Sequence, residues 1–225
     1  MIHGRRLAGV VLAALLAATG LAACQVSPGL AAQVGDTVIT RQEVDRVVAS
    51  WQRTQETPPE RSDVERARQD LMTMLVVTEA GDRYAAAEGL TVPPAAVATY
   101  AEALGLPEDD PFVVTFAEFR AVMDALQATV VPVEPSPADQ REIYDHLVEQ
   151  GLSLPPFEEV QPFLTGEDIA RAVGMRDLVA TVLERADVRV QPGYELVYRQ
   201  TVPFQGATSY LEVPLSEPAQ VVDAA

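Results

Sequence analysis

Apolar residues recur at helical spacing along most of the chain. In the first such segment four residues have the spacing i, i+3, i+4 and i+7: Val44, Val47, Val48 and Trp51. This spacing places them on one face of a helix. A capping box of Thr40 and Glu43 precedes them and predicts where the helix starts. Ahead of that box, short apolar pieces at 31–34 and 37–39 surround a Gly-Asp pair, which predicts a small hairpin.

Similar patterns predict the remaining helices. A second capping box, Ser62 with Glu65, begins a long helix that ends near Gly89. Further helices are predicted from the proline pair at 93–94 to Gly105, at 110–128, at 139–150 and at 165–186, the last one capped by Thr165 with Asp168. A short apolar segment, FEEVQPFL, precedes the last helix. The proline-rich stretch at 131–138 is stiff and is interpreted as a hinge or a seam between two parts of the fold.

The end of the chain has a different pattern. The segments DVRVQ and YELVYRQ flank Pro192 and Gly193 and are typical of strands. Beyond Gln200 we find no periodicity, so residues 200–225 are predicted to be a partly disordered tail. The whole pattern predicts one mainly α domain with a small β element, spanning residues 31–199.

The first residues have the layout of a secretory signal peptide. Arg5 and Arg6 precede the apolar run LAGVVLAALLAATG, and small residues end it. Residues 1–23 are therefore predicted to be a signal peptide rather than a structural element. The segment LAAC resembles the lipobox of bacterial lipoproteins, in which the cysteine is joined to diacylglycerol and its amino group is usually acylated, for example with palmitate.

The lipobox resemblance implies that Cys24 is lipidated and becomes the first residue of the mature protein. Residues 24–30 would then be a lipidated spacer, and the protein would be anchored to the cell membrane on its extracytoplasmic side. Two or more acyl chains hold a protein far more firmly than one, because each buried methylene contributes roughly 0.8 kcal/mol. The alternative is a buried free cysteine that follows an uncleaved anchor.

Composition narrows the chemistry and the partners. Cys24 is the sole cysteine, so its lipidation excludes disulfides, thiolate catalysis and cysteine-ligated metals from the mature domain. The formal net charge is −17, which makes nucleic acid and anionic lipid surfaces poor partners. No nucleic-acid partner is expected.

Two stretches resemble a known family. The segment AAQVGDTVITRQEVDRVVASW resembles the start of bacterial SurA- and PrsA-type foldases, and ADVRVQPGYE resembles their closing strand, with Gln191 and Glu195 departing from the family's asparagine and glycine. The resemblance covers roughly residues 31–195. It implies a SurA N-terminal-like helical domain that is closed by pairing of its N- and C-terminal strands.

The parvulin prolyl isomerase domain of many family members is absent from this sequence. Only 15 residues separate the helix ending near Gln150 from the one beginning near Gly166, whereas a domain needs at least about 50. Parvulin sites also use a pair of histidines, and after the signal peptide the chain has only His146. We therefore expect no isomerase activity and no enzyme.

Other candidate chemistry is weak. His146 lies beside Asp145 and four residues after Glu142, and it is interpreted as a solvent-exposed helix histidine rather than a metal ligand or a base. The acidic stretch at 107–111 is interpreted as a helix N-terminus rather than a cation site. Neither a metal nor a cofactor is expected.

The remaining candidates are surface side chains. Members of the resembled family bind unfolded or extended polypeptide in an apolar groove, where flexible methionine and flat aromatic side chains adapt to varied clients. The candidates for such a groove are Trp51, Met72, Met74, Phe112, Phe116, Phe119 and Met123. A core role is the competing interpretation for each of them, because a domain of this size must bury most such residues.

These observations lead to one functional hypothesis and one main alternative. The hypothesis is a lipid-anchored, extracytoplasmic, chaperone-like protein that binds unfolded or secreted polypeptides without catalysis. The alternative is a dedicated interaction lipoprotein that uses the foldase scaffold to bind one cell-envelope partner. A solute-binding lipoprotein is disfavoured, because such proteins need two α/β lobes and the chain lacks alternating strand and helix patterns.

Overall fold

The computed structural model describes residues 29–192 and 194–215, which form a mainly helical fold with two small antiparallel sheets. The helices are α1 (Arg41–Gln52), α2 (Arg61–Glu88), α3 (Val97–Leu104), α4 (Pro111–Gln127), α5 (Pro137–Glu149), α6 (Phe157–Val160) and α7 (Glu167–Arg185). A 3₁₀ turn, Gln161–Phe163, follows α6. The strands are β1 (Leu30–Val34), β2 (Thr37–Thr40), β3 (Val188–Val190), β4 (Val197–Phe204) and β5 (Ala207–Pro214). The predicted class of mainly α with a small β element is confirmed.

The first sheet joins the two ends of the helical region. Its strand order is β2-β1-β3, and both pairings are antiparallel. The β1–β2 hairpin turns at Gly35, whose φ of 57° suits glycine. On the other side of β1, Ala32 pairs with Val190 and Val34 with Val188. The predicted hairpin and the predicted strand near residue 190 are both confirmed.

One of the three predicted helix caps on the chain is present. The Thr40 hydroxyl accepts the backbone N–H of Glu43 at 3.1 Å, and α1 begins at the next residue, Arg41. The prediction that Ser62 caps α2 is wrong, because α2 already begins at Arg61 and is preceded by Glu60 in an extended conformation. Ser62 is therefore inside the first turn, where its side chain cannot act as an N-cap.

The predicted cap of α7 is also wrong. The helix begins after Gly166, whose φ of 108° is favourable only for glycine. The Thr165 hydroxyl instead donates to the carbonyl of Pro162 at 3.1 Å. The helices themselves were predicted to within a few residues, so the errors concern where the chain turns and not which segments are helical.

Two hydrophobic clusters form the interior. The main cluster lies between the first sheet, α1, α2, α4, the C-terminal half of α7 and the end of the β4–β5 hairpin that carries Tyr198 and Val213. The second cluster lies between α5, α6, the N-terminal half of α7 and the β4–β5 hairpin, and its largest fully buried side chains are Ile143, Leu147, Leu164 and Leu211. Since α7 and the hairpin each contribute to both clusters, the two together connect the second cluster to the first sheet.

The proline-rich segment at 131–138 lies along α7 as a seam. The Val133 N–H donates to the carbonyl of Ala170 at 2.8 Å. A methyl group added to Gly174 would collide with the Val131 carbonyl oxygen, so glycine is required for this approach. At the end of the segment, Ser136 and Asp139 form a capping box that begins α5. The seam interpretation is therefore the one that the structure supports.

The predicted disordered tail is wrong for residues 200–215. They belong to the β4–β5 hairpin, which buries Val202 and Phe204 on one strand and Leu211 and Val213 on the other. Residues 216–225 lie outside the described part of the chain. The tail does contain a local strand pattern, since Val202 and Phe204 alternate with other residues before Gln205-Gly206 and Leu211 and Val213 do so after it. Pro203 is on an edge strand, where its missing N–H is tolerated.

The interpretation of His146 as a solvent-exposed histidine is also wrong. The ring is half-buried, its Nδ1 lies 2.9 Å from the carbonyl oxygen of Tyr210, and it stacks on the Tyr210 ring with 3.9 Å between the centroids. Because a carbonyl only accepts, Nδ1 carries the proton in this contact. His146 therefore attaches the hairpin to α5.

Among the described residues, no helix combines the length and apolar character needed to cross a membrane. The predicted signal peptide and Cys24 lie outside the described residues.

The close packing at Gly174 can be tested by Gly174→Ala. An alanine in a helix is intrinsically favoured over glycine by about 1 kcal/mol, but here its methyl group would collide with backbone. We expect the free energy of unfolding in urea to fall by about 3 kcal/mol. Glu184→Ala, at an exposed position of the same helix, is the control and should change it by less than about 0.5 kcal/mol. Unchanged or increased stability of the Gly174→Ala protein would contradict the close packing of residues 131–138 against α7.

Candidate functional site

Four of the seven predicted peptide-binding residues surround one open groove. Trp51 lies at the end of α1, Met74 on α2, and Phe112 and Phe116 on the first half of α4. Together with Leu71 and the segment that joins α1 to α2, they enclose about 480 Å³. We call this space the aromatic groove. All four side chains are partly exposed. Trp51, Met74 and Phe112 pack against the main cluster on one side and face the groove on the other.

The two Phe rings are held at defined positions. The ring centroids of Phe112 and Phe116 are 6.1 Å apart, and Tyr100 of α3 meets Phe116 edge to face at 5.0 Å. Such arrangements contribute about 0.5–1.5 kcal/mol beyond the area that they bury. The aromatic wall is therefore ordered before any ligand binds.

A buried carboxylate fixes α1 against α4 beside the groove. Asp110, only 5% exposed, accepts hydrogen bonds from the Ser50 hydroxyl, from the Arg53 guanidinium at 2.5 Å and from the Phe112 N–H at 3.0 Å. Ser50 precedes Trp51 on α1, and Arg53 is the first residue after that helix. Phe112 is the second residue of α4. The carboxylate thus sets the distance between two walls of the groove.

Electrostatics keep Asp110 ionised. Burial by itself would raise the pKa of the carboxyl, but the hydrogen bonds from Ser50, Arg53 and Phe112 outweigh it and hold the pKa below its ordinary value of 3.8. Asp110 is also the N-cap of α4, where a negative charge is favoured by the helix dipole. This supports the interpretation of residues 107–111 as a helix N-terminus.

The rim of the groove is charged. It carries Asp63, Arg66 and Asp70, all on α2. Burial raises the pKa of Asp70, while the charges of Arg199 and Arg66 oppose that shift. The rim therefore presents polar groups around an apolar floor, which is the usual composition of a ligand-binding groove.

Phe119 and Met123 line a second opening. It lies between the second half of α4, the first half of α7 and β4, and it has a volume of about 380 Å³. Its floor also contains Met175, and its lining residues include Arg120, Arg171 and Arg199. The guanidinium of Arg199 itself contacts Glu212 and Asp70. We call it the arginine cleft. Met123 is only 6% exposed, so it contributes mainly to the core.

The prediction that Met72 binds peptide is wrong. Its side chain is 0% exposed and lies inside the main cluster. Met72 and Met74 are two residues apart on α2 and therefore point to different sides of the helix. Periodicity alone does not show which of two neighbouring methionines faces solvent. The lipidation site, Cys24, lies outside the described residues.

The arginines of the cleft were not found by sequence analysis. Arg120, Arg171 and Arg199 are separated by tens of residues and lie in three different elements. Each is an ordinary surface residue in its local sequence. No group of three or more metal-ligating side chains occurs within 29–192 and 194–215.

Comparison with known proteins identifies no relative. No protein-family model matches the chain, and no similar curated protein or solved structure is found.

The Asp110 contacts generate a stability prediction. Asp110→Ala removes a helix cap and leaves the fully buried Ser50 hydroxyl without its acceptor. We expect the free energy of unfolding at pH 7 to fall by about 3 kcal/mol, whereas Asp109→Ala, an exposed neighbour, should change it by less than about 0.5 kcal/mol.

The same variant should change the pH dependence. Since the pKa of Asp110 is lower in the folded chain than in the unfolded one, the stabilisation is complete at neutral pH and is lost as pH falls below the ordinary pKa of 3.8. Urea unfolding between pH 2 and pH 7 should therefore show the difference between the Asp110→Ala protein and the parent shrinking as the pH is lowered. A constant difference would contradict this account.

Proposed function

We propose that this chain is a lipid-anchored, extracytoplasmic, chaperone-like protein that holds unfolded or extended polypeptide in the aromatic groove without catalysing a reaction. The observation that carries the proposal is the grouping of Trp51, Met74, Phe112 and Phe116 around one open groove. These residues come from three helices and are far apart in sequence, yet their partly exposed sides face the same space.

The groove has properties that suit varied polypeptide clients. Its volume of about 480 Å³ can receive a few side chains at a time. Flat aromatic rings supply large contact areas at low entropic cost, and the unbranched Met74 side chain adapts its shape to different partners. The groove therefore favours contacts that depend on apolar character rather than on one sequence.

The architecture supports the finer proposal of a SurA N-terminal-like domain. In the resembled family the closing strand pairs with the first strand, and here β3 pairs with β1. Between α5 and α7 lie only α6 and a 3₁₀ turn, which agrees with the proposed lack of an isomerase insert.

Lipidation of Cys24 would hold the groove near a membrane. The first strand begins at Leu30, six residues after Cys24. Six residues span at most about 20 Å when fully extended. We therefore propose that the domain captures clients close to the membrane surface, where secreted chains emerge.

The holding activity can be tested with the mature chain from residue 25 onward. An unfolded client of net negative charge is the appropriate substrate, because electrostatic attraction to this acidic protein then contributes nothing. We expect light scattering from the aggregating client to be suppressed. A Trp51→Gln, Met74→Gln double variant should need about tenfold more protein for the same suppression, since losing apolar anchors costs on the order of 1–2 kcal/mol.

Phe163→Gln is the matched control for this experiment. Phe163 is an apolar side chain that is 63% exposed and does not line the groove. The control should suppress aggregation as well as the parent, and circular dichroism should show that all variants are folded. Equal aggregation with and without the parent protein would refute the proposal. Tight binding of a single envelope protein instead would favour the dedicated interaction lipoprotein.

The anchor can be tested independently in cells. Cys24→Ser removes the only thiol of the chain, so we expect the protein to leave the membrane fraction and its mature N-terminal peptide to lack the mass of the lipid. Ser27→Ala, in the proposed spacer, is the control and should stay in the membrane fraction. An unlipidated Cys24 in the parent protein would contradict the anchor and leave the groove hypothesis intact.

A further inference from the structure

Methionine carries the sulfur chemistry of the described part of this chain. The sequence contains five methionines and one cysteine, and Met1 and Cys24 lie outside the described residues. The described sulfur atoms belong to Met72, Met74, Met123 and Met175. A thioether is oxidised to a sulfoxide, and such oxidation depends on access to the sulfur. The four methionines can therefore be compared by their exposure.

Only one of these four methionines is partly exposed. Met72 is 0% exposed, Met175 5% and Met123 6%, and all three belong to the main cluster. Met74 is partly exposed and borders the aromatic groove of about 480 Å³, whereas a water molecule occupies roughly 30 Å³ in the liquid. A small oxidant thus has a route through the groove to Met74, but it reaches the other three mainly when the core opens locally.

Oxidation of Met74 adds a polar oxygen to an apolar floor. The sulfoxide is polar, whereas the thioether is only a weak hydrogen-bond acceptor. The neighbouring floor residues Leu71, Phe112 and Phe116 have no side-chain donor, so hydrogen bonds to the new oxygen come from water or from the polar rim. An apolar client side chain that fills this place displaces those partners without replacing their hydrogen bonds. Oxidation therefore lowers the affinity of the groove for apolar clients.

We propose that Met74 is a site of reversible oxidation that switches the aromatic groove to a form with weakened client binding. The site of oxidation follows from burial, whereas the effect on clients rests on the function proposed for this groove. The switch lies on the wall of the groove itself, so it acts on clients directly.

The oxidant is hydrogen peroxide. The sulfur lone pair attacks one peroxide oxygen, the O–O bond breaks, and the departing hydroxide takes the proton of the transferred hydroxyl. The products are the sulfoxide and water, with sulfur oxidised by two electrons and peroxide reduced by two. A methionine sulfoxide reductase reverses the change with two thiols, which become a disulfide while the oxygen leaves as water.

The site is tested by peptide mapping of the parent chain, residues 25–225, after limited treatment with hydrogen peroxide. We expect the sulfoxide to form at Met74 at least about tenfold faster than at Met72, Met123 or Met175, because those three wait for local opening. The same treatment in urea is the control and should make the four rates similar. Equal rates in the folded protein, or faster oxidation of a buried methionine, would overturn the proposal.

Trp51 provides a second measurement that needs no client. It is the sole tryptophan of the chain and borders the same groove. Since indole emission moves to longer wavelength in more polar surroundings, we expect a red shift when the parent is oxidised. Met74→Leu keeps a similar side-chain volume but cannot form a sulfoxide, so its emission should not change. Methionine sulfoxide reductases should reverse the shift in the parent.

The effect on clients is measured by the aggregation assay. The oxidised parent should need about tenfold more protein for the same suppression of light scattering. Met74→Leu should give the same suppression before and after peroxide, whatever its starting level. Met175→Leu is the matched control, since it removes a buried methionine, and it should stay as sensitive to peroxide as the parent. Circular dichroism checks that oxidised and variant proteins are folded.

The outcomes separate this proposal from the proposed function. Suppression that is unchanged when Met74 is fully oxidised would refute the switch and leave the holding function intact. Peroxide sensitivity that persists in Met74→Leu would assign the effect to another residue and also refute it. A reduced parent that suppresses no aggregation would refute the holding function and with it the effect on clients. The peptide map decides the site of oxidation in every case.

Discussion

The rest of the structure depends on the packing of α7 against both hydrophobic clusters. The N-terminal half of this helix buries Ile169 and Val173 in the second cluster, and the C-terminal half buries Val179 and Val182 in the main one. Full burial of such a side chain contributes about 1.5–3 kcal/mol. The ion pair between Arg176 and Asp139 and the seam along Gly174 add polar and steric constraints near the boundary. This helix, together with Tyr198 and Val213 of the hairpin in the main cluster, fixes the hairpin relative to the first sheet.

One apolar stripe serves two different openings. The stripe on α4 passes from Phe112 and Phe116 in the aromatic groove to Phe119 and Met123 in the arginine cleft. What differs is the neighbouring element: α1 and α2 supply aromatic and thioether groups at one end, whereas α7 supplies Arg171 and Met175 at the other. Asp70 on the groove rim lies 3.6 Å from Arg199, which links α2 to β4. A helix face that looks uniform in sequence thus acquires two kinds of chemistry.

The edges of the β4–β5 hairpin illustrate where local patterns stop being informative. In sequence, His146 and Glu142 are ordinary helix residues, and nothing near them indicates that they contact the tail beyond Gln200. The tertiary arrangement makes them partners, because α5 meets only the outer edge of β5. The hairpin is ordered by this docking and by burial of Leu211, contacts that join residues more than sixty positions apart. A local window of sequence shows the alternation of the strands but not the helix on which they dock.

The sequence by itself determined the helices, the first hairpin and the strand near residue 190, since these follow from periodicity and turn residues within short segments. It also singled out the four aromatic and methionine side chains of the groove, although Met72, chosen by the same criterion, is buried. Only the tertiary structure decided which side chains share an opening, which helix caps form, and on which helix the hairpin docks. The physical reason is that burial and pairing are settled between elements distant along the chain, whereas propensity acts between neighbours.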